Sequence, residues 1–188
     1  MSEDTKCADL VEEHLESRLE DLRILWAGYN NENCPKCDGT GEINNSLSDE
    51  EDSVITSCEL CDGSGKLDEE NIPGYGNLNE YGLAFDYCTP EKENEGYFRY
   101  QISWGGPSEE FRIYADKGKY GWQVRKIDFW YLDWFDGAKK NLYGDDLKFM
   151  VELSEQFFLE CSGDSEYEKA MEDYEAELDF DDEEETEE

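Results

Sequence analysis

The chain has 188 residues, 37% hydrophobic and 14% aromatic, enough to bury one core of moderate size with or without appendages. Its 51 acidic against 16 basic residues give a formal charge of −35, which excludes direct binding to nucleic-acid phosphates as a leading function. No apolar run approaches the roughly 20 residues that span a bilayer. The acidic, amphipathic start lacks the basic and apolar regions of a secretion signal, so no membrane partner and a cytoplasmic location are expected. Seven cysteines in such a chain favour a metal over disulfides.

Residues 1–30 are expected to be an N-terminal amphipathic helix. From about Glu3 to Trp26 the residues Leu10/Val11, His14/Leu15, Leu19, Leu22 and Leu25/Trp26 recur at spacings of three and four. Ser2 is a candidate cap, and Gly28 with Asn30-Asn31 a candidate stop. The stripe is expected to dock on the protein's own core, and His14, the only histidine, to be half-buried and hydrogen-bonded and not a ligand.

Residues 31–70 carry the pattern around which the rest is arranged. Cys34-Pro35-Lys36-Cys37-Asp38-Gly39-Thr40-Gly41 returns, after an acidic spacer, as Cys58-Glu59-Leu60-Cys61-Asp62-Gly63-Ser64-Gly65. Two C-x-x-C pairs at this separation suit one tetrahedral zinc, and glycines at matched offsets point to two similar knuckles with turns that glycine adopts cheaply. Cys34, Cys37, Cys58 and Cys61 are therefore the expected ligands of one structural Zn²⁺. Four thiolates around a divalent ion add two negative charges to the formal count. The spacer, Glu42 to Ser57, holds Asp49, Glu50, Glu51 and Asp52. It is expected to be either a solvated loop or an acidic lobe held out by the zinc. Ile72-Pro73-Gly74-Tyr75-Gly76 is expected to be a linker or turn.

C-x-x-C-D-G-[ST]-G resembles the cysteine-rich repeat of DnaJ-type co-chaperones, which carry four copies and two zincs. The two-copy, one-zinc arrangement is similar to the bacterial anti-TRAP family of inhibitors of an RNA-binding regulator. The resemblance covers about 32 residues and implies the liganding role of the four cysteines. No His-Pro-Asp tripeptide is present, so a J-domain function is not implied.

Residues 71–163 are expected to form an α+β core, an antiparallel sheet of about four strands packed by helices. The strands are Leu83–Cys88, Tyr97–Trp104, Glu110–Ala115 and Trp122–Leu132, with turns at Thr89–Gly96, Gly105-Gly106-Pro107 and Asp116-Lys117-Gly118. The apolar face of the last strand shifts, which predicts a bulge near Arg125-Lys126. Sixteen of the 26 aromatic residues fall within 81–135. They are expected to be core, in preference to a stacking platform for single strands, which would need a basic groove beside it. Asp133 and Asp136, with Asp128 and Asp145-Asp146, are a candidate divalent-metal or acid/base cluster, weighed against a plain turn with a helix cap after it. A helix is expected over Asp145–Cys161, ended by Ser162-Gly163-Asp164. Cys7, Cys88 and Cys161 are expected to be buried free thiols.

Residues 164–188 hold 15 acids and one base. Ser165–Leu178 reads as a helix with a thin stripe at Tyr167, Met171, Tyr174 and Leu178. Phe180–Glu188 reads as a disordered acidic tail. Ser103–Arg112, with Asp133–Ala138, resembles small uncharacterised proteins of phages and mobile elements.

The expected function is binding without catalysis. In charge and size, though not in sequence, the chain resembles phage-encoded DNA-mimic antirestriction proteins. That implies inhibition of a nucleic-acid-processing or defence enzyme, with Asp49–Asp52, Glu172, Asp173, Glu175 and Glu177 standing in for phosphates. The expected partner is a DNA- or RNA-binding protein, with no direct nucleic acid. The alternative is a zinc-dependent protein-interaction module without mimicry. A hydrolase at Asp133/Asp136 fits poorly with a lone histidine and a closed four-cysteine site. Salt adaptation fits poorly with the cysteine and aromatic content.

Overall fold

The computed structural model describes residues 6–45, 54–68, 72, 74–91 and 94–184, with side chains described as far as 176. The chain divides into two compact units, Glu13–Tyr81 and Gly82–Glu188 with Met1–Glu12.

The dominant element of the first unit is helix α1, Cys7–Tyr29, from Glu13 onward; its first six residues belong to the other unit. Leu15, Leu19, Leu22, Leu25 and Trp26 are buried on its apolar face with His14 half-buried beside them, and Ile24 is buried on the opposite side. The predicted helix is therefore present; Ser2 and Glu3 lie outside the described residues. The stop is Asn31, in the left-handed region at φ 55. Gly28 has a different use from the one expected. It lies inside the helix, where a Cβ would sit 2.2 Å from Ile72 Cδ1. The spacer between the knuckles is not simply a loop: β1 (Glu42–Asn44) and β2 (Ile55–Ser57) pair antiparallel, Glu42 with Ser57 and Asn44 with Ile55. Its acidic tip, Asp49, Glu50, Glu51 and Asp52, lies outside the described residues. A turn at Gly74 and Gly76, both at positive φ, leads to the short helix α2, Leu78–Tyr81. There the Tyr81 hydroxyl donates to Asp21 Oδ2 at 2.6 Å.

The second unit is a five-stranded antiparallel sheet, in the order β3 (Ala84–Cys88), β4 (Tyr97–Ser103), β5 (Ser108–Gly118), β6 (Gly121–Asp133), β7 (Asp136–Asn141). Phe98, Tyr100, Phe111, Ile113, Ile127, Phe129 and Tyr131 are buried, as are Met150, Leu153, Phe158 and Leu159 from the helical segment that follows. The predicted bulge is present: Tyr114 pairs with Lys126 and Ala115 with Val124, leaving Arg125 as the extra residue. The β5–β6 turn is Lys119-Tyr120, not Asp116-Lys117-Gly118, because Gly118 still pairs with Gly121.

Sequence reasoning finds four of these strands and misses β7. Asp136-Gly-Ala-Lys-Lys-Asn has no β-branched or aromatic residue, and as an edge strand it can afford two lysines. Its presence turns the supposed helix cap at Asp133–Gly137 into a tight hairpin around Trp134-Phe135.

The helical segment runs without a break as α3 (Gly144–Leu153), a π-helical stretch (Ser154–Gly163) and α4 (Asp164–Glu184). Gly163 is therefore no stop. It lets the wide π turns pass Trp122, whose ring atoms would lie 3.0 Å from a Cβ at that position. Asp164 Oδ1 then accepts the Trp122 indole N–H at 2.8 Å and pairs with Lys117 at 3.1 Å. The thin stripe of α4 begins on the sheet, with Tyr167 edge-on to Tyr87 and Trp122. The backbone is helical to Glu184, past the Leu178 end of the stripe.

Candidate metal centre

The four cysteines come together as one buried group, with all four sulfurs within 4.8 Å of one another. Cys34 and Cys58 Sγ are 3.9 Å apart, and Cys37 and Cys61 Sγ 3.7 Å. Four sulfurs at about 2.3 Å from a central ion would form a tetrahedron with edges of about 3.8 Å. The geometry therefore fits one metal ion of the zinc type.

The knuckles are built twice by the same bonds. Gly39 N–H donates to Cys34 O at 3.2 Å, and Gly63 N–H to Cys58 O at 3.0 Å. The Thr40 hydroxyl donates to Cys37 O and the Ser64 hydroxyl to Cys61 O, both at 2.7 Å. Asp38 and Asp62 take positive φ of 50 and 48, a conformation that Asp tolerates better than most residues. Gly41 N–H donates to Cys37 Sγ, and Gly65 N–H to Cys61 Sγ, each at 3.3 Å. These donors stabilise thiolates and orient them for a metal.

The knuckles also hold each other. Cys34 N–H donates to Gly65 O at 2.9 Å, and Cys58 N–H to Gly41 O at 2.8 Å. A Cβ on Gly41 would lie 2.2 Å from Gly63 O, and one on Gly65 2.3 Å from Gly39 O. The matched glycines thus serve two needs, positive φ within each knuckle and close backbone approach between them. The second need is invisible in the sequence, although the repeated offsets are its trace.

Burial pushes the Cys34 thiol up to about 12. Burial raises Cys37 too, but hydrogen bonds from the Gly41 N–H and the neighbouring thiols outweigh it and draw that thiol down to about 7. Beside this centre, in the same unit, lies a cavity of about 430 Å³ lined by Ile24, Pro35, Leu60 and Tyr75, with Arg23 and Glu59 among its charged walls.

The other candidate residues behave differently. Asp133 and Asp136 face each other across the β6–β7 turn, and Asp136 Oδ2 accepts the Cys7 backbone N–H at 2.8 Å. Asp128 is five positions along β6, roughly 17 Å from Asp133 on an extended strand. It is fully buried, with Lys126 Nζ at 2.6 Å and Lys139 Nζ at 3.9 Å. Asp145 pairs with Lys148 at 2.7 Å. These carboxylates form no shared site. Of the three remaining cysteines, Cys7 is buried, Cys88 is half-buried and Cys161 is exposed, so the expectation of three buried thiols holds for the first alone.

The aromatic stretch splits by strand alternation. One set is the core described above. On the opposite face Tyr97, Tyr114 and Trp130 line a polar cavity of about 780 Å³ with Arg99, Arg112, Lys126 and Lys139. Arg112 lies 3.9 Å over the Trp130 ring and Lys126 4.4 Å over Tyr114. Each of three cations there is already held by a carboxylate: Arg99 by Asp86 at 2.5 Å, Arg112 by Glu110 at 2.7 Å, Lys126 by Asp128. On this face these three cations lie against carboxylates of the chain itself.

Glu172, Asp173 and Glu175 are exposed on α4; Glu177 lies on the same helix, beyond the described side chains.

Comparison with protein-family models, curated proteins and solved structures finds no match. These comparisons give no support to the DnaJ-type resemblance, and what stands is the cluster of four cysteines. Among the described residues no helix is long and apolar enough to cross a membrane.

Proposed function

We propose that this is a zinc-stapled acidic binding protein, without catalysis of its own, that inhibits a nucleic-acid-processing or defence enzyme by presenting carboxylates where that enzyme expects phosphates. Zinc is the metal we assign, because a closed set of four thiolates suits a structural zinc and leaves no open position for chemistry. The observation that carries the inhibitory reading is charge density on α4. Glu168, Glu172 and Glu175 run along one side of the Tyr167–Met171–Tyr174 stripe, and Glu166 and Asp173 along the other. Those acids occupy about 15 Å of helix, one per roughly 3 Å. A single DNA strand carries one phosphate per about 3.4 Å of axis and a duplex one per about 1.7 Å. Only the two lines together reach the spacing of one strand, since the Glu168–Glu172–Glu175 line alone has one acid per roughly 5 Å. A duplex mimic needs a further acidic line, for which Asp49–Asp52 are the candidates.

The test is capture from a bacterial lysate by full-length protein and by a Glu172→Gln/Asp173→Asn/Glu175→Gln variant, at low and high salt. Nucleic-acid-binding proteins held at low salt, and lost both at high salt and in the variant, support the reading. Salt-resistant capture that the variant retains overturns it. Such a result would favour the second reading, a zinc-dependent interaction module, whose supporting observation is the mixed cavity beside the cysteines, lined by Ile24, Pro35, Leu60 and Tyr75 together with Glu20, Arg23, Lys36 and Glu59.

A further inference from the structure

Two stretches singled out in the sequence have no role so far: Ser103–Arg112 and Asp133–Ala138. They meet at one end of the five-stranded sheet. The β4–β5 turn carries Trp104 and Pro107, and the β6–β7 turn carries Trp134 and Phe135. Strand register sets the turns side by side, with Ser103 opposite Glu109, Ser108 opposite Leu132 and Asp133 opposite Asp136. They touch: a Cβ on Gly106 would lie 2.4 Å from Trp134 Nε1.

At this junction Trp104 is 75% exposed, Trp134 80% and Phe135 102%. Folding does not require these rings. A two-residue hairpin turn is best closed by Asn, Asp or Gly, and a polar pair would close it without putting rings in water. Large exposed aromatic groups gathered in one place mark interaction surfaces, and tryptophan is among the residues that dominate binding energy.

The charges nearby say what kind of partner fits. The exposed acids at this junction are Asp133 and Asp136, with Lys6 near Asp136, while Glu109, Glu110 and Asp128 are buried and add no surface charge there. Asp133 and Asp136 bracket the Trp134-Phe135 pair. The hydrogen bond from the Cys7 backbone N–H holds the Asp136 carboxyl below the usual range, so it stays charged. A second copy of this chain would bring the same acids and a further charge of −35. An anionic bilayer would be repelled likewise.

We propose that this end of the sheet docks a basic protein surface, with Trp104, Trp134 and Phe135 entering apolar recesses and Asp133 and Asp136 pairing with the lysines or arginines around them. It rests on the proposed function for its premise of a basic protein partner, and adds to the acidic helix an apolar anchor that salt does not screen.

The test pans a random dodecapeptide display library against the full-length, metal-loaded protein and measures enriched peptides as synthetic ligands. Two full-length variants accompany it: Trp104→Ala/Trp134→Ala/Phe135→Ala, and Glu172→Gln/Asp173→Asn/Glu175→Gln. The expected peptides combine Lys or Arg with large apolar residues. Their Kd should rise at least tenfold in the aromatic variant and less than threefold in the acidic-helix variant, with unchanged melting curves. If the triple aromatic variant misfolds, Phe135→Ala alone, which removes only an exposed ring, should still raise Kd at least threefold.

Several results overturn the proposal. Binding unmoved by the aromatic change but lost in the acidic-helix variant removes the docking surface and leaves the mimicry reading standing. Enriched peptides without basic residues remove the basic partner, and with it the premise shared by both. Failure to enrich any peptide also counts against the surface. A dimer in sedimentation that dissociates in the aromatic variant makes the occupant a second copy. Binding to phosphatidylcholine vesicles that is lost in that variant makes it a lipid surface.

Discussion

Substituting Gly41 by alanine separates the two demands that the knuckle glycines meet. Gly41 has φ +76 and Gly74 has φ +83, so alanine suffers a similar backbone penalty at each, about 1–2 kcal/mol. Nothing lies within 4 Å of a Cβ on Gly74, whereas one on Gly41 would lie 2.2 Å from the Gly63 carbonyl oxygen. That contact is backbone against backbone, so the knuckles must part. Parting them stretches the Gly41 N–H to Cys37 Sγ bond of 3.3 Å and the Cys58 N–H to Gly41 O bond of 2.8 Å. A bond to a charged sulfur contributes roughly 1.5–3 kcal/mol and a backbone bond roughly 0.5–1.5 kcal/mol, so partial loss of both costs about 2–3 kcal/mol beyond the φ penalty. Metal binding and folding of this unit are linked, so the excess appears as metal affinity. Gly41→Ala should bind zinc roughly 30- to 150-fold more weakly than Gly74→Ala does. Competition against a chromophoric chelator at fixed pH measures the ratio. Equal affinities within threefold would refute the interlock and reduce the glycine pattern to turn chemistry.

Excess chelator should speed hydrogen exchange at the Gly41, Cys58 and Gly65 amides by orders of magnitude while leaving the β4–β6 ladder protected, because the sheet unit has its own core. Phe129→Ala should cost about 3–5 kcal/mol in denaturant melts, since Phe129 is fully buried, and Phe135→Ala should stay within about 0.5 kcal/mol, since Phe135 is fully exposed. The Asp164 carboxyl is held below its ordinary value of 3.8 by hydrogen bonds from Lys117 and Trp122. A depressed carboxylate stabilises the fold above its unfolded pKa, and that contribution disappears as pH falls through the folded value. The melting-temperature gap between wild type and Asp164→Asn should accordingly be open at pH 6 and narrow as the pH falls below the ordinary carboxylate value of 3.8. A gap that widens in acid would assign the stabilisation to another group.

The parts of this molecule legible in its sequence are those in which chemistry is local. Cys34, Cys37, Cys58 and Cys61 declare a metal centre because two short spacings and repeated glycines are sufficient geometry. Alternation along Tyr97–Ser103 declares a half-buried strand, and the face shift at Arg125 declares a bulge, because a pleat has a period of two and nothing else restores it. Tertiary structure decided what no local rule contains. Strand β7 exists because β6 offered an edge for a polar segment to pair with. Gly28 and Gly163 are spacers against Ile72 and Trp122, where local rules read stop signals, because their partners are 44 and 41 residues away in sequence. The exposure of Trp104, Trp134 and Phe135 was equally hidden. Composition places aromatic residues in a core by default, and only the position of two hairpin turns at one sheet end put these three in water.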